Sequence, residues 1–238
     1  MHALNKDAII NTVLRGQAVN AWSNMSPALM YWHNPNVPKY EYNVETAKKM
    51  LDALDLKDRN NDGVRETTDG TKLSFTFITN KGNKSREEIA TLFSADWRAV
   101  GIEATPQYID FNALVTKLND TFEYEACYLG FAGSIHPLTS MNSLLSSGRT
   151  HYWNPLQKSP ETPWEAEIDG LCREFTVALS PKRQQEIEFR IQHIIAEQAP
   201  TIPLFVSKNF QAVRNTIGNV KPVGVTDVFW NAEELYNK

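Results

Sequence analysis

The sequence is short of the features that mark membrane spans, nucleic-acid binding and disulfide frameworks. Its 238 residues contain no apolar run near the roughly 18 to 20 residues that a membrane-spanning helix needs. No basic cluster is present, and 24 Lys and Arg against 28 Asp and Glu give a net charge of -4, so we expect no nucleic-acid partner. Cys127 and Cys172 lie far apart and match no metal-ligand or redox spacing. They form either one disulfide or two buried thiols, and their apolar surroundings favour thiols.

Catalytic motifs are also missing. The sequence has no nucleophile elbow, no Walker loop, no dinucleotide-binding glycine pattern and no His-x-x-x-His pair, and its five histidines lack metal-ligand spacing. The composition is that of an ordinary globular chain, with 42% hydrophobic and 22% charged residues. The sequence therefore predicts a folded domain with a substantial core and favours a binding protein over an enzyme.

The central part of the chain has the pattern of a strand, a helix and a second strand. Apolar residues alternate over 73–78, which predicts a strand. A helix follows, with a capping pair of Ser85 and Glu88 at its start, an apolar stripe and Gly101 at its end. Alternation returns over 102–109 and predicts the second strand. A third strand is predicted at 125–131. These elements predict an α/β fold in which a mixed or parallel sheet is flanked by helices.

Further helices are predicted outside this unit, and two long loops separate them. Three of these helices begin after caps at Asn5, Asn43 and Asp110, and three more are predicted at 141–145, 164–178 and 181–198. The segment 199–206 is predicted as an edge strand. The loops cover 17–42 and 134–163 and are rich in aromatic and polar side chains. Because long ordered loops usually carry function, we expect the site there.

Aromatic rings beside a few polar groups are typical of peptide, sugar and small-molecule sites. The residues of this kind in or beside the two loops are Trp32, His33, Tyr128, Phe131, Ser134, His136, Arg149, His151, Tyr152, Trp153 and Asn154. Some of these residues are expected only to cover the sheet. An alternative class of protein, a carbohydrate-binding or hydrolytic domain, would use the same rings as sugar subsites.

The segment 58–69 has the spacing of a calcium-binding loop. Its ligand positions would be Asp58, Asn60, Asp62, the Val64 carbonyl, Glu66 and Asp69, with Gly63 at the turn. The last position is Asp instead of the usual bidentate Glu. The segment is either a structural Ca²⁺ site, in a calcium-stabilised interaction module, or a solvated turn in which Asp and Asn bond their own backbone. No other cofactor is expected.

Several segments, in their order and spacing, resemble a known family. The segments 3–10, 16–18, 42–51, 152–155 and 199–205, with the Asp62–Gly63 turn before the first strand, are similar to the C-terminal half of bacterial extracellular solute-binding proteins of family five. These proteins are the peptide, oligopeptide and nickel-type binding components of ABC importers. The resemblance covers nearly the whole chain.

The resemblance implies a periplasmic-binding-protein-like second lobe, formed by 1–205, and a tail, 206–238, that returns to a first lobe. The first lobe and an export signal would lie upstream, and the two lobes would close on the ligand by a hinge motion. The implied location is periplasmic or otherwise extracytoplasmic. The implied partners are a peptide or similar small solute, the missing N-terminal lobe and the membrane permease subunits of the importer.

The resemblance also places the ligand-binding residues. Peptide binders of this family carry an Asp in the loop after the third strand, where it pairs with the peptide ammonium, whereas this chain has Ser134 and His136 there. A buried ammonium without a carboxylate costs several kcal/mol, so either the ligand has no free N-terminus or its partner lies elsewhere. The ligand-binding residues implied by the resemblance are Phe131, Ser134, His136, Trp153 and Asn154. Trp32, from the aromatic residues of the loop 17–42, is expected to join them.

Overall fold

The computed structural model describes residues 1–131, 135–221 and 230–238. The α-helices are α1 (Lys6–Thr12), α2 (Val44–Ala53), α3 (Lys84–Arg98), α4 (Phe111–Thr116), α5 (Met141–Leu144), α6 (Pro163–Val177) and α7 (Pro181–Gln198). The strands are β1 (Ala18–Asn20), β2 (Ser74–Asn80), β3 (Glu103–Ile109), β4 (Ala126–Cys127), β5 (Phe205–Ser207), β6 (Ile217–Gly218) and β7 (Tyr236–Asn237).

A three-stranded parallel sheet lies at the centre, in the order β3-β2-β4. The predicted strand, helix and strand unit is confirmed as β2, α3 and β3, and with it the α/β class. Phe77 of β2 packs against Ile89 and Phe93 of α3, and all three side chains are buried. Two antiparallel ladders, β1 with β5 and β6 with β7, lie apart from this sheet, and isolated antiparallel bridges join Glu66 to Lys57 and Lys72.

Two local predictions in this unit were wrong. Asn83, and not Ser85, caps α3, because its side chain accepts a hydrogen bond from the Arg86 N–H at 3.1 Å. The third strand ends at Cys127 instead of residue 131. The Thr79 hydroxyl donates to the Tyr128 carbonyl at 2.9 Å, so a side chain takes over from the backbone ladder as the chain leaves the sheet.

The long loop 17–42 contains a strand that its sequence does not reveal. β1 has three residues, too few to show alternation, and it depends on β5, which lies far along the chain. The predicted edge strand 199–206 shrinks to Phe205–Ser207, because Pro200 and Pro203 have no N–H to donate. The predicted domain boundary at 205/206 falls inside β5 and stays a prediction.

The helices α6 and α7 pack together and form the second core of the molecule. Their starts follow the sequence closely, since Thr162 and Ser180 cap helices whose first residues are Pro163 and Pro181. The buried side chains that they share with α5 are Met141, Leu144, Ile168, Cys172, Phe175, Ile187, Ile191, Ile194 and Ile195.

Both cysteines are free thiols, as predicted. Cys172 is buried in the helical core and Cys127 is half-buried in β4. Burial raises the pKa of Cys127 to about 11 and that of Cys172 to about 12, so both stay protonated and unreactive at neutral pH. In the described parts of the chain, no helix combines the length and the apolar character that a membrane span requires.

Candidate functional site

An exposed aromatic platform lies where the chain leaves the parallel sheet. Phe131 follows β4, its side chain is 68% exposed, and it stacks on Tyr152 with ring centroids 5.8 Å apart. Tyr152 is held at both ends, because its hydroxyl donates to Asn119 at 3.2 Å and its carbonyl accepts from the Tyr124 hydroxyl at 2.8 Å. The carboxyl ends of parallel strands are the usual place for ligand sites in α/β folds.

A second pair of predicted residues, Trp32 and His136, meets above the helical core. Their ring centroids are 5.0 Å apart in an edge-to-face arrangement, and both rings also contact Phe175 of α6, at 6.0 and 5.8 Å. The Nδ1 atom of His136 accepts a hydrogen bond from the Leu138 N–H at 3.3 Å, which begins a short 3₁₀ turn. The structure therefore brings these two predicted residues into direct contact.

Trp153 and Asn154 instead bond acidic side chains at the start of α6. The Trp153 indole donates to Glu165 at 3.4 Å, and the Asn154 amide donates to Glu161 at 3.1 Å. The Trp153 ring also lies 3.9 Å, centroid to centroid, from His151. These two predicted site residues anchor the loop 151–162. Ser134, the remaining predicted residue, lies outside the described residues.

Glu165 organises that loop from a buried position. One of its carboxylate oxygens accepts from the Gln157 amide at 3.1 Å and from the Thr162 N–H at 2.9 Å, and the other faces Trp153. Burial opposes its ionisation, but these donors hold the pKa of Glu165 below its ordinary value. The His151 Nε2 atom, which has no hydrogen-bond partner in the described structure, lies 3.8 Å from Glu165.

Sequence reasoning missed Glu165, although a signal was present. Thr162 and Glu165 have the spacing of a capping box, in which the third helical residue bonds back to the cap, and the structure contains that motif. The same carboxylate that caps α6 thus also collects donors from the loop. The motif predicts a helix start, and only the fold shows that the loop depends on it.

The predicted calcium loop uses its oxygen atoms on its own backbone and on lysine. Asp58 accepts from the backbone N–H groups of Asp62 and Gly63 at 3.1 and 2.9 Å, and Asp62 pairs with Lys72 at 2.5 Å. These are the contacts of a turn in which Asp bonds nearby N–H groups.

The last two predicted ligands of that loop turn to other partners. Glu66 accepts from the Arg59 N–H at 3.2 Å, and Asp69 accepts from the Thr71 N–H at 3.1 Å and from the Thr67 hydroxyl. Within the described ranges, no group of three or more His, Cys, Asp or Glu side chains has the geometry of a metal site. The arrangement favours the turn interpretation, and the calcium ion remains a prediction without structural support.

Two open grooves lie away from the aromatic residues. One, of about 320 Å³, lies between α2, the 57–65 loop and the end of α3, and another, of about 330 Å³, runs beside β3. Neither groove is lined by any of the predicted ligand-binding residues. The candidate site therefore consists of two ring pairs outside these grooves, Phe131 with Tyr152 beyond β4 and Trp32 with His136 on the helical core.

Comparison with known proteins identifies the family. The sequence model of "Bacterial extracellular solute-binding proteins, family 5 Middle" matches residues 1–152. The chain belongs to this family. It is 32% identical over 227 residues to the oligopeptide-binding protein AppA of Bacillus subtilis (strain 168), a match that covers 92% of this chain and 39% of that protein. The predicted family is confirmed, and the chain spans about two-fifths of the length of this relative.

Solved structures of family-five proteins share the fold. The structure of Bacillus subtilis AppA in complex with a nonapeptide matches with a TM-score of 0.81 and 27% identity, over 100% of this chain and 46% of that one. A mannohexaose-bound periplasmic oligopeptide-binding protein of Thermotoga maritima matches with a TM-score of 0.75 and 22% identity, over 97% of this chain and 45% of that one. The predicted lobe-like α/β fold is confirmed by these matches.

Proposed function

We propose that this chain is a ligand-binding lobe of an ABC-importer solute receptor and that it captures a peptide. The observation that carries the proposal is the 32% identity, over 92% of the chain, to an oligopeptide-binding protein. The receptor works outside the cytoplasm, hands its ligand to membrane permease subunits, and needs no cofactor. It binds its ligand without converting it.

The geometry supports a peptide as the ligand. The exposed ring of Phe131 stacks on Tyr152, and Trp32 and His136 form a second ring pair. Such faces bind apolar side chains and backbone amides without requiring charge. This chain is less than half the length of the structures that it matches. A second lobe, supplied by a longer protein, would therefore close over this surface and complete the site.

A sugar is the second candidate ligand, because aromatic faces also stack on sugar rings. The Thermotoga maritima protein is described with mannohexaose, but at 22% identity that likeness supports the fold alone. The stronger sequence similarity is to a protein described as oligopeptide-binding, and it favours the peptide.

Native mass spectrometry of the longer protein that carries both lobes tests the proposal, together with titration of an equimolar pool of random nonapeptides. We expect a peptide-mass adduct or saturable binding, with the recovered peptides uncleaved. Phe131→Ala should weaken binding at least about tenfold, since it removes the exposed ring of the platform. Phe210→Ala removes an equally exposed ring outside the candidate site and is the matched control.

Binding of hexose oligomers but not of the peptide pool would favour the sugar alternative. Peptide cleavage that persists through purification would point to an enzyme. If the two-lobed protein binds neither class, or if the two phenylalanine variants behave alike, the proposed site is wrong.

A further inference from the structure

The side chain of Gln192 is buried in the helical core, where a polar group is costly unless it is fully hydrogen-bonded. Gln192 lies on α7 and is 0% exposed. Its neighbours along the helix include Ile191 and Ile195, which belong to the apolar cluster between α6 and α7. A buried amide without partners costs about 1 to 3 kcal/mol, so its hydrogen bonds account for its presence there.

Three of those hydrogen bonds reach one loop at three different points. The Gln192 Oε1 atom accepts from the Asn34 N–H at 2.9 Å and from the Ser23 hydroxyl at 3.2 Å, and Nε2 donates to the Trp32 carbonyl at 2.6 Å. The fourth bond runs from Nε2 to Glu188, one helical turn earlier, at 3.0 Å. Gln192 therefore fixes both ends of the segment 23–34 and the backbone of Trp32 within it.

The residue held in this way belongs to the candidate site. The Trp32 ring contacts His136, and the Trp32 carbonyl is the group that Gln192 binds most closely. Because the amide is enclosed on all sides, its bonds are not weakened by competing water. The backbone of Trp32 is thus fixed before any ligand arrives, and its ring packs against His136 and Phe175.

We infer that Gln192 is a positioning residue, which preorganises Trp32 and thereby raises the affinity of the site. The inference rests on the proposed function, since it concerns the same surface. A loop that is already ordered loses less conformational entropy when the ligand binds, so the affinity gain comes from order and not from a new contact.

The test compares two glutamines of α7 in the full 238-residue chain. Gln192→Met keeps the length of the side chain and removes all four bonds, whereas Gln185→Met removes a bond from a less buried glutamine to the neighbouring carbonyl of Tyr31. Fluorine-19 NMR of 5-fluorotryptophan protein reports on Trp32 directly. Its signal is assigned among the six tryptophans by Trp32→Phe.

We expect Gln192→Met to shift or broaden the Trp32 signal and to weaken binding of the nonapeptide pool about tenfold. Gln185→Met should leave the signal in place and change binding less than twofold. If Gln192→Met does not fold, Gln192→Glu takes its place, because it keeps the acceptor for Asn34 and Ser23 and loses the donor to the Trp32 carbonyl and to Glu188.

An unchanged Trp32 signal in the folded Gln192 variant overturns the inference. So does a shifted signal with binding within twofold of the wild type. Peptide binding is measured in the two-lobed protein. If its wild-type form binds no peptide, the proposed function fails on its own, and the NMR comparison in this chain still decides whether Gln192 positions Trp32.

Discussion

The sheet unit and the helical pair of this molecule are built on different principles. Between β2 and β4 the only buried polar residue described is Thr79, and the core consists of rings and aliphatic side chains. Between residues 137 and 198 the buried polar residues are Ser146, His151, Gln157, Glu165, Asp169, Glu188 and Gln192. The sheet unit gains stability from apolar burial, whereas the helical pair also uses buried polar groups to fix the loops that carry the candidate site.

Phe77→Ala should give the largest loss of stability and would sharpen the contrast. Phe77 is 2% exposed and contacts the rings of Phe93 and Trp97, so its removal leaves a cavity in the apolar core. We expect the free energy of unfolding to fall by about 3 to 5 kcal/mol, measured by urea denaturation. Phe111→Ala, at an exposed phenylalanine, is the control and should cost less than about 1 kcal/mol.

Glu165→Ala tests whether the polar groups of the helical pair stabilise as well as position. It leaves the buried donors of Gln157 and Thr162 without an acceptor, so we expect a loss of about 2 to 3 kcal/mol in urea denaturation. Glu167→Ala, two residues along the same helix, removes only a surface ion pair with Arg190 and is the matched control. Equal losses for the two variants would contradict the special role of Glu165.

Glu188 makes the stability of the helical pair depend on pH. Burial raises the pKa of Glu188 to about 8, so the folded state holds a proton that the unfolded state has already released. Its contribution to stability is fully present below about pH 4.5 and is lost as the pH rises towards 8, with a slope of at most about 1.4 kcal/mol per pH unit.

Glu188→Gln should remove that slope in urea denaturation curves recorded between pH 5 and 8. Glu186→Gln, at an exposed site on the same helix, should keep it. A slope that survives in Glu188→Gln must come from another group.

Of the changes considered, added calcium should have the smallest effect on the stability of the protein. The carboxylates of Asp58, Asp62 and Asp69 are bound to backbone N–H groups, a lysine or a hydroxyl, and they do not converge on one point. We expect calcium to shift the melting temperature by less than about 1 °C, measured by differential scanning fluorimetry with a chelator control. A larger shift that Asp62→Asn abolishes would restore the calcium site.

Local patterns of the sequence predicted the parts of the fold that depend on local forces. The alternation in β2, the caps at Asp110 and Ser180 and the proline at the start of α7 each act within a few residues, and the structure contains them. The pairing of β1 with β5 was missed because β1 has no pattern of its own, and the strand predicted at 199–206 carries no sign of its partner. It forms only when distant segments meet.

The candidate site was predicted in part, for a related reason. The aromatic loops were visible as composition, and the structure places the rings of Trp32 and His136 in contact, while their role in ligand binding stays a prediction. Their supports were missed, although Glu188 and Gln192 are polar residues spaced four apart on an otherwise apolar face of α7. Such residues at core positions mark a buried network, but the partners of that network lie in loops that no periodicity describes.

The ladder between β1 and β5 also bears on the timing of synthesis. Ala18 pairs with Ser207, and Gln17 accepts a backbone hydrogen bond from Lys208. The N-terminal residue of each pair is therefore synthesised long before its partner. At about 5 to 20 residues per second, the early strand waits roughly 10 to 40 seconds for its partner to be made. Meanwhile the sheet unit can assemble from neighbouring segments. The ladder is therefore one of the last parts of the domain to close, and the edge of β1 stays open to other chains until it does.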